Sequence, residues 1–305
     1  MNKIATIVVT FNRKELLKYC LEAIVEQDYR PACVYIIDNA STDGTDAWVK
    51  EKGYDSIKNG IKFEYVLLEE NIGGSGGFYT GMKIAHESKE MYDAFWLMDD
   101  DGIPDKKQLY YLVSDLQKHD YLSPLVLSKE DPSVISYDGS LAQRYIDMAE
   151  NNLLVGAANP FNGVLYSRRL VDKIGYPIRD MFIWGDEINY GLRSIKAGFP
   201  PAMDVRAIHV HPRNRQPFEP FIGKSQIIVP KDDWKLYCLV RNLIYNARTL
   251  SRTRHYMKVL VQLWCKYSVY FTFIKFNVHK LKVVNNALMD GSRKDLSKLS
   301  KYKKS

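Results

Sequence analysis

Residues 4–11 read IATIVVTF, an unbroken run of apolar and β-branched side chains that the polar NR follows at once. A strand with one solvated face alternates apolar and polar residues, whereas a parallel strand buried on both faces is apolar throughout. We therefore predict a strand with helices packed on both sides, as in an α/β sheet.

The first hundred residues repeat this alternation of strand and helix. Further strand-like runs occur at residues 33–41, 62–70 and 93–101, and segments with helical spacing separate them. The order βαβαβαβ predicts a doubly wound, mostly parallel, Rossmann-like sheet with right-handed crossovers. Ligands bind at the carboxyl ends of the strands in such sheets. We therefore expect the polar segments that follow the four strands to converge, namely residues 10–13, 38–41, 71–77 and 99–101.

The rest of the chain predicts a second half of the sheet domain and a helical end. We predict a sheet domain at residues 1–228, with a first half at about 1–104 and a second half at about 105–228. A helical region should follow at 229–305, with its last dozen or so residues frayed.

The charge of the chain is concentrated at this helical end. The net charge is +7, but residues 251–305 alone contain 13 Lys or Arg and 2 Asp. Lysines interrupt the aromatic segment 255–282, so it cannot span a bilayer; it is typical of a helix lying on an anionic membrane surface. Packing on the preceding domain is the alternative, and we expect no nucleic-acid partner because no such motif occurs. The four scattered cysteines are typical of reduced cytoplasmic thiols.

Three adjacent carboxylates, Asp99, Asp100 and Asp101, follow the apolar run AFWLM. A solvated surface turn would explain them, but the strand that precedes them is predicted to be buried. Mg²⁺ and Mn²⁺ prefer oxygen ligands and bind through one or two carboxylates together with substrate phosphates. Asp99 and Asp101 would point the same way along an extended backbone and hold a metal–nucleotide complex.

Two other segments are candidates for binding a phosphate or a nucleoside. The glycine-rich NIGGSGG at 71–77 lets a backbone approach a ligand closely, although an ordinary glycine-rich turn fits it equally well. Asp38 ends a strand and could accept hydrogen bonds from a base or ribose. A turn followed by a helix N-cap explains it as well.

The later motifs WGDE and HVH carry the remaining candidate groups. Asp186 and Glu187 could interact with a helix dipole, or one could act as a general base. His209 and His211 have the two-residue period of one strand face, and the histidine before the proline is a candidate metal ligand.

The ordered series IVVTFNR, IIDNASTDGT, NIGGSGGF, WLMDDDG and WGDEINYGLR resembles family-2 inverting glycosyltransferases of the GT-A fold. The sequences of these motifs are most similar to those of bacterial galactofuranosyl- and rhamnosyltransferases. The resemblance covers about residues 4–250. It implies that 1–228 is a catalytic domain, with a nucleotide-sugar half at about 1–104 and an acceptor half at about 105–228. It implies transfer of galactofuranose from UDP-galactofuranose to a lipid-linked or polysaccharide acceptor, in synthesis of a cell-surface glycan such as O-antigen or capsule. The enzyme would work at the inner face of the cytoplasmic membrane.

The same resemblance assigns roles to individual residues. The divalent cation, Mn²⁺ or Mg²⁺, would be bound by Asp101, Asp99 and His211. The base would be Glu187, with Asp186 as the alternative, and Trp184 and His209 would contact the acceptor. The nucleotide sugar would contact residues near the strand ends, namely Thr10, Phe11, Asn12, Arg13, Asp38, Asn71, Gly73, Gly74, Gly76, Gly77, Asp99 and Asp100.

Two alternatives remain at this stage. The donor could be dTDP-rhamnose rather than UDP-galactofuranose. The protein could also be a non-catalytic nucleotide-sugar-binding or scaffold protein, although the intact carboxylate motifs favour an enzyme.

Overall fold

A computed structural model describes residues 2–159, 161–213 and 217–303. The chain forms two compact units. The first contains the described residues within 1–179 and 190–214, and the second those within 180–189 and 215–305. Residues 180–189 thus group with the terminal helices, whereas the sequence analysis places the only boundary at 228.

The first unit is an α/β domain whose opening series is the predicted one, with a short extra strand before the third long strand. Its elements to the middle of the chain are β1 (Ile4–Thr10), α1 (Lys14–Val25), β2 (Cys33–Asp38), α2 (Thr45–Glu51), β3 (Ile57–Lys58), β4 (Ile61–Leu67), α3 (Gly73–His86), β5 (Ala94–Asp99), β6 (Ile103–Pro104), α4 (Gln108–Ser114) and β7 (Tyr121–Ser128). They continue with α5 (Ala142–Met148), β8 (Leu153–Val155), β9 (Val164–Ser167), α6 (Arg168–Ile174), a 3-10 helix (Arg179–Met181), α7 (Asp186–Lys196) and β10 (Ala202–His211). The 3-10 helix and α7 each cross the division between the two units.

A ten-stranded mixed sheet organises this unit. The strand order is β3-β4-β2-β1-β5-β9-β7-β10-β6, and β8 pairs with β10. Strands β4, β2, β1 and β5 are parallel neighbours, as are β7 and β10, whereas β9 runs antiparallel between β5 and β7. The predicted mostly parallel Rossmann-like fold is therefore confirmed.

Helices cover both faces of the sheet, as the opening strand requires. Ile4 and Val8 pack with apolar side chains of α1, α2 and α4 on one face. Ala5, Ile7 and Val9 pack with α3 and α6 on the other. Every residue of β1 is buried, which accounts for its uninterrupted apolar sequence.

The second unit is mainly helical. After the hairpin β11 (Phe218–Pro220) and β12 (Gln226–Ile228) it contains α8 (Asp233–Leu250), α9 (Thr253–Val269), a π-helical turn (Tyr270–Ile274), α10 (Val278–Arg293) and a 3-10 helix (Leu299–Lys301). The predicted single helix over 255–282 is wrong, because the π-turn and a link at residues 275–277 separate α9 from α10.

The prediction of a frayed terminus is also wrong through residue 303. Leu299 is buried, and the ring of Tyr302 stacks on Tyr237 of α8 with 4.2 Å between centroids. Lys298 Nζ lies 2.6 Å from Asp290 Oδ1. Sequence composition alone does not reveal such long-range contacts.

Two smaller predictions can be compared with the structure. Within the described residues, no helix is both long enough and apolar enough to cross a membrane. Cys20, Cys33 and Cys238 are buried free thiols, and Cys265 is an exposed one.

Candidate active site

The polar ends of the parallel strands meet at one edge of the sheet, as predicted. The register aligns Thr10 with Asp38, and Val9 with Asp99, so β1, β2 and β5 end side by side. Thr10 Oγ1 donates to Asp100 Oδ2 at 2.7 Å. On the other side of β1, the backbone N–H of Asn12 donates to Ser41 Oγ at 2.8 Å.

The guanidinium of Arg13 contacts two of the three carboxylates. Its Nη1 lies 3.2 Å from Asp100 Oδ1 and 2.8 Å from Asp101 Oδ2. Thr10 and Arg13 therefore hold both oxygens of the buried Asp100, and Arg13 bridges it to Asp101. The extended backbone expected for the three carboxylates is wrong, because β5 ends at Asp99 and the chain turns there.

His211 reaches the carboxylates through strand pairing. Strand β6 follows the acidic triplet directly and pairs antiparallel with β10, with Pro104 opposite His209 and Ile103 opposite Val210. His211, the next residue of β10, thereby comes to lie beside Asp101, with Nε2 3.0 Å from Oδ1. Its other nitrogen, Nδ1, is 2.7 Å from the carbonyl oxygen of Pro212. A carbonyl only accepts, so Nδ1 carries a proton and Nε2 is the nitrogen directed at the acidic cluster.

Burial and the repulsion between neighbouring carboxylates make it unfavourable for the three side chains to be ionised together without a cation nearby. Burial, with the charges of Asp101 and Asp100, raises the pKa of Asp99 to about 7. Burial also raises the pKa of Asp100 to about 6, although Arg13 and Thr10 oppose this effect. Asp99 and Asp101 therefore retain a site for positive charge that Arg13 does not fill.

Asp101 and His211 shift each other's pKa toward the charged form. Burial raises the pKa of Asp101, but the hydrogen bond and charge of His211 outweigh it, so the pKa lies below its ordinary value. Burial lowers the pKa of His211, and the hydrogen bond and charge of Asp101 outweigh that effect in turn, so its pKa is raised.

The donor set fits a divalent cation. Asp99, Asp101 and His211 each offer one ligand atom, and these atoms lie within 4.8 Å of one another. Two carboxylate oxygens and one imidazole nitrogen suit Mn²⁺, and they leave positions open for phosphate oxygens. The structure thus brings together the three residues that the family resemblance implies.

Asp38 lies at the end of β2 and is fully buried. Its Oδ1 accepts from the backbone N–H of Ser41 at 2.7 Å, and its Oδ2 accepts from the hydroxyl of Tyr65 at 2.6 Å. Burial, together with this carboxylate, raises the pKa of the Tyr65 phenol. The sequence analysis missed Tyr65, which lies in the interior of β4 without a motif.

The glycine-rich segment is not a loop, because α3 begins at Gly73 and contains the other glycines. The structure accounts for two of them by close packing. A Cβ on Gly77 would lie 2.5 Å from Val9 Cγ1, and one on Gly76 would lie 2.6 Å from Ile72 Cγ1. Among the described residues, a Cβ on Gly74 would meet no atom within 4 Å. Gly74 thus faces open space. Asn71 Oδ1 accepts from the Gly73 N–H at 2.8 Å and caps the start of the helix.

His209 does not fit the acceptor-binding role expected for it, because its side chain is fully buried. Its Nδ1 lies 3.0 Å from Gln108 Oε1. A Cβ on Gly102 would lie 2.2 Å from His209 Nε2, so the ring fills the space that this glycine leaves. Burial lowers the pKa of His209 to about 3, which makes it a neutral packing residue.

Trp184, Asp186 and Glu187 belong to the second unit. Phe182, Trp184 and Gly185 have φ angles of 70°, 61° and 87°, and bulky residues rarely adopt this left-handed conformation. Asp186 is buried, and Glu187 is partly exposed and accepts from the Gly185 N–H at 3.1 Å. Strained backbone of this kind is concentrated at functional sites.

Helix α8 holds the strained segment in place. Asn242 Nδ2 donates to the carbonyl oxygens of Met181, Ile183 and Trp184 at 2.9, 2.9 and 2.7 Å. Asn246 Nδ2 donates to the carbonyl of Gly185 at 2.8 Å. The sequence analysis missed both asparagines. Their only signal was a pair of amides four residues apart in an amphipathic helix.

Comparisons with known proteins agree with this architecture. The family model for Glycosyl transferase family 2 matches residues 6–174. Galactofuranosyltransferase GlfT1 from Mycolicibacterium smegmatis is 31% identical over 284 residues, which cover 88% of this chain and 89% of that protein.

Two solved structures share the fold. S. aureus TarS 1–349 in complex with UDP-GlcNAc has a TM-score of 0.57 and 14% identity, covering 95% of this chain and 81% of that one. The mannosyltransferase PcManGT from Pyrobaculum calidifontis, in complex with GDP-Man and Mn²⁺, has a TM-score of 0.55 and 15% identity, covering 97% and 87%. The match of the family model over more than half of the chain, together with a relative similar over nearly all of it, shows that this chain belongs to glycosyl transferase family 2 and is a glycosyltransferase.

Proposed function

We propose that the protein transfers galactofuranose from UDP-galactofuranose to a lipid-linked or polysaccharide acceptor, with inversion at the anomeric carbon. The observation that carries the proposal is the similarity to a galactofuranosyltransferase over 88% of the chain, since it extends well beyond the residues that the family model matches. The cluster of Asp99, Asp101 and His211 supports a metal-dependent reaction.

In this proposal Asp99, Asp101 and His211 would hold Mn²⁺ or Mg²⁺. When bound, the cation neutralises the negative charge that develops on the diphosphate leaving group. Arg13 keeps Asp101 oriented through its contact at 2.8 Å, and the Pro212 carbonyl fixes the ring of His211. The Mn²⁺ complex of PcManGT, a protein of the same fold, is in keeping with this assignment.

The nucleoside would lie along the strand ends, against residues 10–13 and Asp38. The carboxylate of Asp38 already accepts two hydrogen bonds, and an ionised carboxylate can accept about four in all. It therefore retains acceptor capacity for an imide N–H such as that of uracil, but because its side chain is fully buried the base would reach it only after Tyr65 or the turn at Ser41 moves aside. Gly74 and Asn71 would lie near the sugar. A Cβ at position 74 would meet open space.

Glu187 would act as the base, because it is partly exposed whereas Asp186 is buried. Its carboxylate takes the proton of the acceptor hydroxyl as the oxygen forms its bond to the sugar C1. The bond from C1 to the phosphate oxygen breaks, and its electron pair leaves with UDP. One displacement inverts C1, so no covalent enzyme intermediate is required.

We further propose that the enzyme works at the inner face of a cytoplasmic membrane, in synthesis of a bacterial cell-surface glycan. Residues 251–305 contain 13 basic and 2 acidic residues, and this excess of positive charge supports binding to anionic lipid.

Calorimetry with UDP, dTDP and GDP, each with and without Mn²⁺, tests the donor and the metal together. We expect UDP to bind, and Mn²⁺ to strengthen its binding at least about tenfold through the diphosphate. Asp101→Asn should abolish the effect of Mn²⁺, while Asp55→Asn, an exposed carboxylate elsewhere, should behave as wild type. Binding of dTDP alone would replace the proposed donor with a dTDP-sugar. If no nucleotide binds in the presence of Mn²⁺, the enzymatic proposal for this site fails.

A further inference from the structure

Residues 273–278 form an exposed apolar turn in the second unit, which we call the apolar tip. Phe273, Phe276 and Val278 are 70%, 78% and 77% exposed, and Ile274 is 39% exposed. Four apolar side chains are thus exposed within six residues, whereas exposed apolar residues on a protein surface are usually single.

The backbone holds the apolar tip in a defined shape. Tyr270 and Phe271, at the start of the π-turn, are buried in the core of the second unit. The N–H of Lys275 donates to the Tyr270 carbonyl at 2.9 Å, and that of Asn277 to the Phe271 carbonyl at 2.8 Å. The side chain of Asn277 then caps α10 by accepting from the Lys280 N–H at 2.9 Å. The patch therefore projects from a closed, capped turn.

Phe276 adopts a backbone conformation that bulky side chains disfavour. Its φ is 49°, in the left-handed region where helices usually end with glycine or asparagine. A bulky residue is rare there. At 78% exposure, packing within the unit does not account for an aromatic residue at this position. Met91 shares this combination, but no exposed apolar residue flanks it in sequence, whereas Phe273 and Val278 flank Phe276 and together point to a partner outside the protein.

The surroundings of the apolar tip are cationic. Residues 270–289 include Lys275, Lys280 and Lys282 and no acidic residue. Two acidic side chains approach from neighbouring elements, and each has a partner: Glu219 lies 3.3 Å from Lys275, and Asp233 lies 2.5 Å from His279. Lys282 is exposed on the first turns of α10. The charge suits an anionic partner and opposes close approach of a second copy.

We propose that the apolar tip inserts between the headgroups of an anionic lipid bilayer and fixes how the second unit sits on the membrane. This inference rests on the proposed work at a membrane surface, and it names the residues that enter the bilayer. Aromatic side chains partition favourably into the headgroup region, and lysines beside them bind anionic headgroups.

A flat helix is the competing arrangement. Met257, Val261 and Trp264 form a stripe on α9, but each is only about half exposed, at 47%, 52% and 53%. Val261 and Trp264 also line a groove of about 380 Å³ with Leu288 and Met289 of α10. Phe273, Phe276 and Val278 of the apolar tip are each at least 70% exposed, and Phe276 carries the backbone strain, so the observations favour the tip.

Flotation of the full chain with vesicles of equal parts phosphatidylglycerol and phosphatidylcholine tests this inference. In Phe273→Ser/Phe276→Asn we expect the partition coefficient to fall about tenfold for each aromatic side chain removed. Met91→Asn is the matched control, since Met91 is 64% exposed with φ 53° in the first unit. It removes the same kind of strain and an exposed apolar side chain, and binding should not change.

The double variant should keep the thermal midpoint of the wild type, because both side chains are exposed and asparagine tolerates the left-handed conformation, so loss of binding cannot be ascribed to unfolding. Wild-type partition by the double variant, or loss of binding in Trp264→Ser with the double variant unaffected, would overturn the inference. So would wild-type protein that self-associates through Phe273 and Phe276 in sedimentation and leaves vesicles unbound. Nucleotide binding in solution, measured separately, reports on the transferase proposal whatever the vesicle result.

Discussion

At the scale of single residues, the two adjacent carboxylates of the WGDE motif differ in environment. Asp186 is 5% exposed, whereas Glu187 is partly exposed and is held by the Gly185 N–H at 3.1 Å. Only an accessible carboxylate can take a proton from an acceptor hydroxyl. Glu187→Gln keeps the shape and removes the basicity. We expect it to retain Mn²⁺-dependent UDP binding and to lose transfer about 10²–10⁴-fold.

The measurement is transfer of labelled sugar from UDP-galactofuranose, beside calorimetry of UDP on the same protein. Asp186→Asn is the comparison, and we expect it to lower stability more than transfer because its carboxylate is buried. Full transfer by Glu187→Gln with loss in Asp186→Asn would move the base to Asp186.

At the scale of elements, α3 packs unusually close to the sheet. A Cβ on Gly81 would lie 2.5 Å from Ile7 Cγ2 and 2.9 Å from Ile37 Cγ1, both on neighbouring strands. Gly81→Ala therefore forces α3 away from β1 and β2. We expect it to lower the free energy of unfolding by about 1–3 kcal/mol in denaturant titrations.

Gly74→Ala, in the first turn of the same helix, is the matched variant. Its Cβ meets no described atom within 4 Å, so the higher helix propensity of alanine should leave stability equal or raised by up to about 1 kcal/mol. Equal destabilisation by both variants would contradict close packing as the reason for Gly81.

At the scale of the whole molecule, the terminal helices are part of a core and are not a detachable anchor. Val283, Val284 and Ala287 of α10 are buried with Val240 and Ile244 of α8. Deleting residues from 253 onward would expose that face of α8, and each large apolar side chain exposed costs about 1.5–3 kcal/mol. We expect the truncated chain to be insoluble or to lose helical signal in circular dichroism beyond that of the deleted residues. The Phe273→Ser/Phe276→Asn variant should remain folded. A soluble truncated chain with α8 intact would contradict this expectation.

Much of the first unit could be predicted from local sequence. The uninterrupted apolar strands and the helical spacing between them predict βαβαβαβ, because each pattern reports the burial of its own element. The antiparallel insertion of β9 could not be predicted in this way, since pairing order depends on partners distant in sequence. The single helix over 255–282 failed for a related reason: apolar spacing does not register a π-turn or a left-handed Phe276.

The sequence by itself determined the residue types and the strand ends that carry them: Asp99, Asp101, Arg13 and Thr10 follow strands whose parallel order brings their ends together. Tertiary structure decided which histidine completes the cluster. The proline after His211 marked it as the candidate ligand in the sequence, but only the pairing of β6 with β10 directs it to Asp101 and buries His209 against Gly102. It also decided the shape of residues 182–185, which side chains of α8 hold from 58–61 residues away. Local patterns encode burial, whereas contacts between distant segments arise only when the whole chain packs.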